Sequence, residues 1–157
     1  KCIKNIKKIK KKFDLIVALD VIEHIDQDSD AINYLSTLLT KNGKILITVP
    51  AYQFLFSIKD EILHHKRRYI KKNLNKMLSR KFDIIKSSYF NFFLSPIIIS
   101  TTLLLKFFKK NYIDSVEKKP TFILNFILKF VFTFEKFLLN NINFPFGISI
   151  LVFAKKK

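Results

Sequence analysis

The sequence predicts an α/β domain with a mostly parallel sheet, and three observations predict it. Two short, apolar, β-branched runs, Phe13–Leu19 and 44–49, read as strands buried on both faces. Between them Ala31, Leu35, Leu38 and Leu39 recur at helical spacing, over a length that suits a crossover. The chain has 157 residues and is 49% hydrophobic, enough for one buried core and too apolar for a disordered chain. Strand, helix and strand in that order build a right-handed unit with both strands parallel.

Each element can be justified in turn. The basic run 1–12, with Ile3, Ile6 and Ile9, reads as a solvated segment leading into the first strand. After Leu19 the polarity rises abruptly in Asp20-Val21-Ile22-Glu23-His24-Ile25. Residues 26–30 supply helix-start chemistry, the helix runs to about Thr40, and Asn42-Gly43 is its stop signal. The second strand, 44–49, ends at Pro50. Ligands of such sheets sit beyond the carboxyl ends of the strands, so 19–24 and 49–69 are the regions of interest. Residues 51–69 have no clean period and read as a long loop or short helices, a length more often functional than idle. Residues 73–80 read as a helix and Phe82–Phe90 as a third strand.

No charged residue occurs from Ser87 to Leu105. Ser95-Pro96 looks like an N-cap followed by Pro at the first helical position. A helix over 96–108 is shorter than the roughly twenty residues that cross a bilayer. A second apolar helix follows Pro120. Asn125, Lys129, Thr133, Lys136 and Asn140 form one narrow polar stripe, and Phe122, Phe126, Phe130, Phe134 and Phe137 belong to the broad apolar remainder. Such a helix is buried nearly all round or lies in a membrane interface. Residues 147–154 read as the last strand, before a basic tail.

Composition narrows the function. A net charge of +17, from 29 Lys and Arg against 12 Asp and Glu, invites nucleic acid or an anionic membrane. Only Arg67, Arg68 and Arg80 are arginine, however, and nucleic-acid grooves favour arginine for bidentate and stacking contacts. Lys, Ile, Asn and Phe are abundant together, as codon bias in an AT-rich genome produces. No nucleic-acid partner is expected. One cysteine, Cys2, excludes a disulfide framework and fits a reducing compartment. With Gly43 and Gly147 the only glycines, no glycine-rich phosphate loop can form. The Lys-rich start has neither the apolar run nor the cleavage site of a secretory leader. A first residue other than Met is expected of a piece of a longer product.

Taken together, these segments resemble the C-terminal portion of a class I S-adenosylmethionine-dependent methyltransferase of the type 11/12 kind. Residues 13–25 resemble that family's fourth strand and the turn after it. Asn42-Gly43-Lys44-Ile45-Leu46-Ile47-Thr48-Val49-Pro50-Ala51 resembles its fifth strand with the preceding turn. Asp60-Glu61-Ile62-Leu63-His64-His65-Lys66-Arg67-Arg68-Tyr69 resembles a loop of one subgroup, often found in cell-surface glycan or lipid metabolism. A Pro-led apolar segment, a helix carrying one Glu (Glu135) and a closing Pro145-Phe146-Gly147 strand also occur there. The likeness covers 13–155.

The resemblance implies a Rossmann-like sheet, mostly parallel with the last strand antiparallel, and here incomplete. Residues 13–90 would form core sheet and helices, 91–143 an apolar helical insertion, and 144–157 the final strand and tail. The family's first strand, its glycine-rich cofactor loop and the acidic residue that holds the ribose have no counterpart. The subgroup often has Gly where His64 and Lys81 stand. Truncation inside the domain is the economical account, with weak or no cofactor binding by this chain alone. The intact protein is expected to transfer a methyl group from S-adenosylmethionine to a small or lipid- or glycan-linked acceptor, at oxygen. The expected place is the cytoplasm or the inner face of a membrane, with peripheral contact through 91–140. The alternative is a non-catalytic basic module that clings to anionic lipid.

Methyl transfer is an in-line displacement, so the protein must mainly align donor and acceptor and exclude water. By resemblance Leu19 packs on the cofactor, with Ala18 and Asp20 beside it; otherwise Leu19 is ordinary strand-end core. Glu23-His24 has three readings. His24 is a candidate base; Asp20, Glu23 and His24, with His65 as a fourth, match an acid-acid-His turn that holds a metal in some class I enzymes; or the pair caps the following helix. No metal is assigned. His65 is a second candidate base. Arg67, Arg68 and Tyr69 are candidate acceptor-binding residues, since arginine grips phosphate or carboxylate bidentately. The other reading is a basic loop whose arginines pair with Asp60 or Glu61.

Overall fold

A computed structural model describes residues 9, 11–108 and 121–157. The chain passes through β1 (Phe13–Leu19), a 3-10 turn (Ile22–His24), α1 (Asp28–Leu38) and β2 (Leu39–Pro50). A second 3-10 turn (Gln53–Leu55), α2 (Ile58–Ile62), α3 (Lys71–Leu78) and β3 (Phe82–Phe90) follow. Then come α4 (Ser95–Phe107), α5 (Phe122–Asn141) and β4 (Ser149–Lys156). The basic start of the chain and Pro120 lie outside the described residues.

The strands form one sheet in the order β1-β2-β4-β3. β1 and β2 pair in parallel, from Leu15 opposite Lys44 to Leu19 opposite Thr48. β4 lies between β2 and β3 and is antiparallel to both. Three strands therefore share a direction and the last opposes them, as expected. The centre of the sheet is apolar because β2 and β4 place Ile45, Ile47, Val49, Ile150, Val152 and Ala154 wholly out of solvent. Leu74 and Leu78 of α3 and Phe82 of β3 complete that core.

Several sequence expectations need correcting. β1 is not buried on both faces: it is an edge strand, and Leu15, Val17 and Leu19 are each more than half exposed. β2 begins at Leu39 rather than at Lys44, because α1 stops at Leu38 and the chain extends at once. Asn42-Gly43 is thus a stretch of strand, where the pairing with β1 slips out of regular register. A side chain at Gly43 would press against Leu39 and the Phe13 carbonyl. Ser95 lies inside α4 instead of capping it; Leu94 is the cap, and the Ser95 hydroxyl donates to the Phe92 carbonyl at 2.6 Å.

α5 is exposed nearly all round, which removes the buried alternative. Its one buried side chain is Glu135, whose carboxylate accepts the backbone N–H groups of Phe92 (3.1 Å) and Phe93 (3.4 Å). That contact ties the helix to the segment leaving β3. Beside it, Phe92 stacks on Phe144 with ring centres 4.8 Å apart. Gly147 is needed here: a Cβ on it would lie 2.4 Å from the Phe90 carbonyl oxygen.

Candidate active site

The site lies where β1 and β2 end side by side. Asp20 follows β1 with φ of 51°, a left-handed turn that short polar residues tolerate. Its N–H donates to the Thr48 carbonyl at 3.0 Å, and the Thr48 hydroxyl donates to its carboxylate at 3.1 Å. The chain then coils into Ile22–His24. Ile22 anchors the turn in the core, Glu23 is buried beside it, and His24 remains exposed.

The second half of the site comes from the segment after β2. This segment leaves at Ala51 and returns at Tyr69, which bridges back to Ala51, so its two ends are fixed together. Ser57 and Asp60 form a capping box that starts α2. After α2, His64 takes φ of 58° and turns the chain back. The Lys66 N–H then donates to the Glu23 carbonyl at 2.9 Å. That backbone bond sets His65 over the Glu23–His24 turn.

His65 and His24 meet edge to face, with ring centres 4.8 Å apart. His65 Nδ1 lies 2.8 Å from the Asp60 carboxylate, and His24 Nδ1 lies 3.1 Å from the His64 carbonyl. A carboxylate and a carbonyl can only accept, so both Nδ1 atoms carry a proton, and each Nε2 is the ring nitrogen turned toward Glu23. His65 Nε2 is 3.8 Å and His24 Nε2 is 4.0 Å from Glu23 Oε1. Both Glu23 oxygens are buried and have no hydrogen-bond donor among the described residues, and the carboxyl's own backbone N–H offsets burial only in part. Burial pushes the Glu23 carboxyl above its ordinary range, and the nearby Asp20 charge adds to this.

The basic cluster is engaged within the fold. Arg68 grips Asp60 through two parallel hydrogen bonds, Nε to Oδ1 at 2.9 Å and Nη2 to Oδ2 at 3.0 Å. Burial alone would raise the Asp60 carboxyl, but Arg68 and His65 outweigh it and hold it below the ordinary value. Arg67 donates to Asp28 and to the Asp26 carbonyl, and the Tyr69 hydroxyl donates to Asp28 at 2.9 Å. Burial, then the Asp28 contact, push the Tyr69 hydroxyl well above its usual range. A cavity of about 350 Å³ opens between α2 and α4, lined by His65, Arg68, Asp60, Lys59, Ile98 and Thr102.

Of the sequence-derived candidates, the structure brings His24 and His65 together with Glu23. Leu19 and Asp20 stand open at the rim, whereas the Ala18 methyl packs into the core. Asp20 is held on Thr48 and lies outside the Glu23–His24–His65 group. Arg68 reaches the cavity while paired to Asp60, as the basic-loop reading has it; Arg67 and Tyr69 instead converge on Asp28. Sequence reasoning missed Asp28, which reads as an ordinary helix-start residue, and the orienting role of Asp60. The signal for Asp60 was its place three residues after Ser57.

No family model and no curated protein matches the chain. Solved structures do. A SAM dependent methyltransferase from Archaeoglobus fulgidus is 17% identical, with a TM-score of 0.56 over 99% of this chain and 65% of that one. An S-adenosylmethionine-dependent methyltransferase from Clostridium acetobutylicum is 13% identical, with a TM-score of 0.51 over 95% of this chain and 60% of that one. The fold is that of the class I methyltransferases. The chain spans less than two thirds of the length of either structure. Its Rossmann-like sheet with an antiparallel last strand therefore stands as the resemblance implied.

Proposed function

We propose that the chain is part of an S-adenosylmethionine-dependent methyltransferase that modifies an oxygen of a small or lipid- or glycan-linked acceptor. The supporting observation is a coincidence of place. A left-handed turn at Asp20 and a convergent His24–His65–Glu23 group share the carboxyl rim of the sheet, where ligands of parallel sheets bind. In this reading Leu19 and Asp20 face the cofactor, and His24 and His65 handle the acceptor oxygen and its proton. The cavity beside Arg68 admits the acceptor. Arg67 and Tyr69, tied to Asp28, shape the wall instead of gripping substrate.

Among the described residues β1 has β2 on one side only, and its outward face is apolar. In this reading a further parallel strand with its nucleotide loop would pair with that free edge and complete the cofactor pocket. Calorimetric titration with S-adenosylhomocysteine tests this. The chain as given should bind weakly or not at all, and a chain extended upstream by its in-frame sequence should bind at micromolar concentration. No binding by the extended chain would overturn the cofactor assignment; tight binding by the chain as given would overturn the need for a completing segment.

The partner at the other end of the molecule is inferred to be a lipid surface. Phe122, Phe126, Phe130 and Phe137 of α5 are 65–87% exposed beside lysines, as an interfacial helix would present them. No helix among the described residues is long and apolar enough to cross a membrane.

A further inference from the structure

We infer that the cavity between α2 and α4 binds the phosphate-bearing head of an amphiphile whose hydrocarbon chain leaves along α4. The first ground is the state of the polar wall. Asp60 is the only carboxylate lining the cavity, and the fold engages both its oxygens, Oδ1 through His65 and Arg68, Oδ2 through Ser57 and Arg68. Its charge is met there and does not repel an anion as a free carboxylate would. The polar hydrogens left unengaged belong to cations. The Arg68 guanidinium bonds to the two Asp60 oxygens and to the Ala51 carbonyl, which uses three of its five N–H groups and leaves two. Lys59 lines the same cavity and has no ion-pair partner among the described residues. Cationic donors that lack acceptors select an acceptor-rich anion, and phosphate has enough oxygens to meet Arg68 and Lys59 at once.

The second ground is the apolar wall. Leu55, Ile98 and Ile148 line it, and Thr102 stands one turn beyond Ile98 on α4. The helix then continues past the cavity to Leu104 and Phe107, which are 56% and 81% exposed. Lys106 Nζ donates to the Phe54 carbonyl at 2.6 Å and so ties this stretch of α4 to the turn that carries Leu55. A volume of about 350 Å³ is small for a ligand pocket. A phosphate with its first few methylenes fills it, and a longer chain has to follow the helix outward. No residue of α5 lines the cavity, so this site does not depend on the lipid surface inferred for that helix. His65 does line it, which puts the ligand beside a candidate base. That the ligand is the methyl acceptor rests on the methyltransferase reading; its binding does not.

Calorimetric titration of the chain with octyl phosphate, below its micelle concentration, tests the site. We expect saturable binding at least tenfold tighter than that of inorganic phosphate, because buried methylenes add to the charge contacts. Octyl glucoside, with the same chain and no charge, should show no saturable binding. Lys59→Gln, at an exposed position with little risk to the fold, should weaken octyl phosphate about tenfold. Thr102→Phe, which fills the cavity from α4, should do the same while leaving inorganic phosphate less affected. Lys76→Gln on α3 removes the same charge elsewhere and should change nothing, as should Phe126→Ser with Phe130→Ser on α5. Equal affinity for inorganic and octyl phosphate would overturn the amphiphile in favour of a water-soluble phosphate. Equal losses in Lys59→Gln and Lys76→Gln would reduce the effect to the chain's net charge and overturn the site. Loss of binding in the α5 double variant would place the ligand on that helix instead. If a chain extended upstream bound S-adenosylhomocysteine but not octyl phosphate, this inference would fall and the methyltransferase reading would stand; the reverse result would do the opposite.

Discussion

His64 stands in a left-handed conformation, which costs a residue with a Cβ about 1–2 kcal/mol. Its imidazole is exposed, and its contribution to the site is the backbone carbonyl that orients His24. His64→Gly keeps that carbonyl and relieves the strain, while adding freedom to the unfolded chain. We therefore expect a gain of up to about 1 kcal/mol in denaturant unfolding. A loss of stability would show that the imidazole has a role the geometry does not reveal. The left-handed φ is thus a physical reason for a glycine at this position, legible only once that angle is known. The same limit explains the rest of the site. Each of Glu23, His24, Asp60 and His65 could be singled out in the sequence. Their meeting depends on one backbone hydrogen bond between Lys66 and Glu23, for which no residue type is a signal. Arg67 and Tyr69 looked like ligand residues because their partner, Asp28, sits at a helix start where an acidic residue needs no other explanation.

At the scale of elements, β1 and β3 were legible to the residue, because short runs of β-branched and aromatic residues with polar flanks favour a strand over a helix. That β1 is an edge was not, since an edge strand awaiting cover and a central strand share the same composition. The start of β2 was misplaced because Asn-Gly is a helix-stop signal wherever it is met, and here the helix had already ended. The segment that sequence periodicity described least is the one Glu135 organises. Its carboxylate holds two backbone N–H groups at the exit of β3, so α5 is docked by a buried polar contact in addition to Leu138 and Leu139 against the core and Phe134 against Phe93. Glu135→Ala should cost about 1–3 kcal/mol, the penalty of leaving buried donors unpaired. Glu135→Gln, which keeps one acceptor, should cost less. Chemical denaturation measures the first, and limited proteolysis should show α5 cut before the sheet. Equal resistance of α5 in wild type and Glu135→Ala would mean that Leu138, Leu139 and Phe134 suffice to dock it.

The whole molecule has two unlike ends. The sheet is packed at its centre and carries the polar cluster at its rim; α5 leaves it carrying exposed phenylalanine on most of its circumference. A soluble surface seldom keeps a contiguous apolar patch of this kind without a partner. The charge supports the lipid surface proposed above. The chain carries +17 overall, and Lys129 and Lys136 lie on the polar stripe of the same helix. An anionic lipid surface answers both features, taking the rings into the headgroup boundary and the lysines into its negative potential. Burying one phenylalanine contributes about 1.5 kcal/mol or more, so each ring removed should weaken partitioning about tenfold. Phe126→Ser and Phe130→Ser remove rings that are both 69% exposed, so neither should alter the melting temperature by more than about 0.5 kcal/mol in equivalent stability. Sedimentation with vesicles of neutral and of anionic lipid is the measurement. Binding should require the anionic lipid, weaken with salt, and fall about a hundredfold in the double variant. Binding that ignores both substitutions would place the lipid contact elsewhere. A wild-type dimer in solution that dissociates in the double variant, without lipid affinity, would assign the helix to a second copy of the chain.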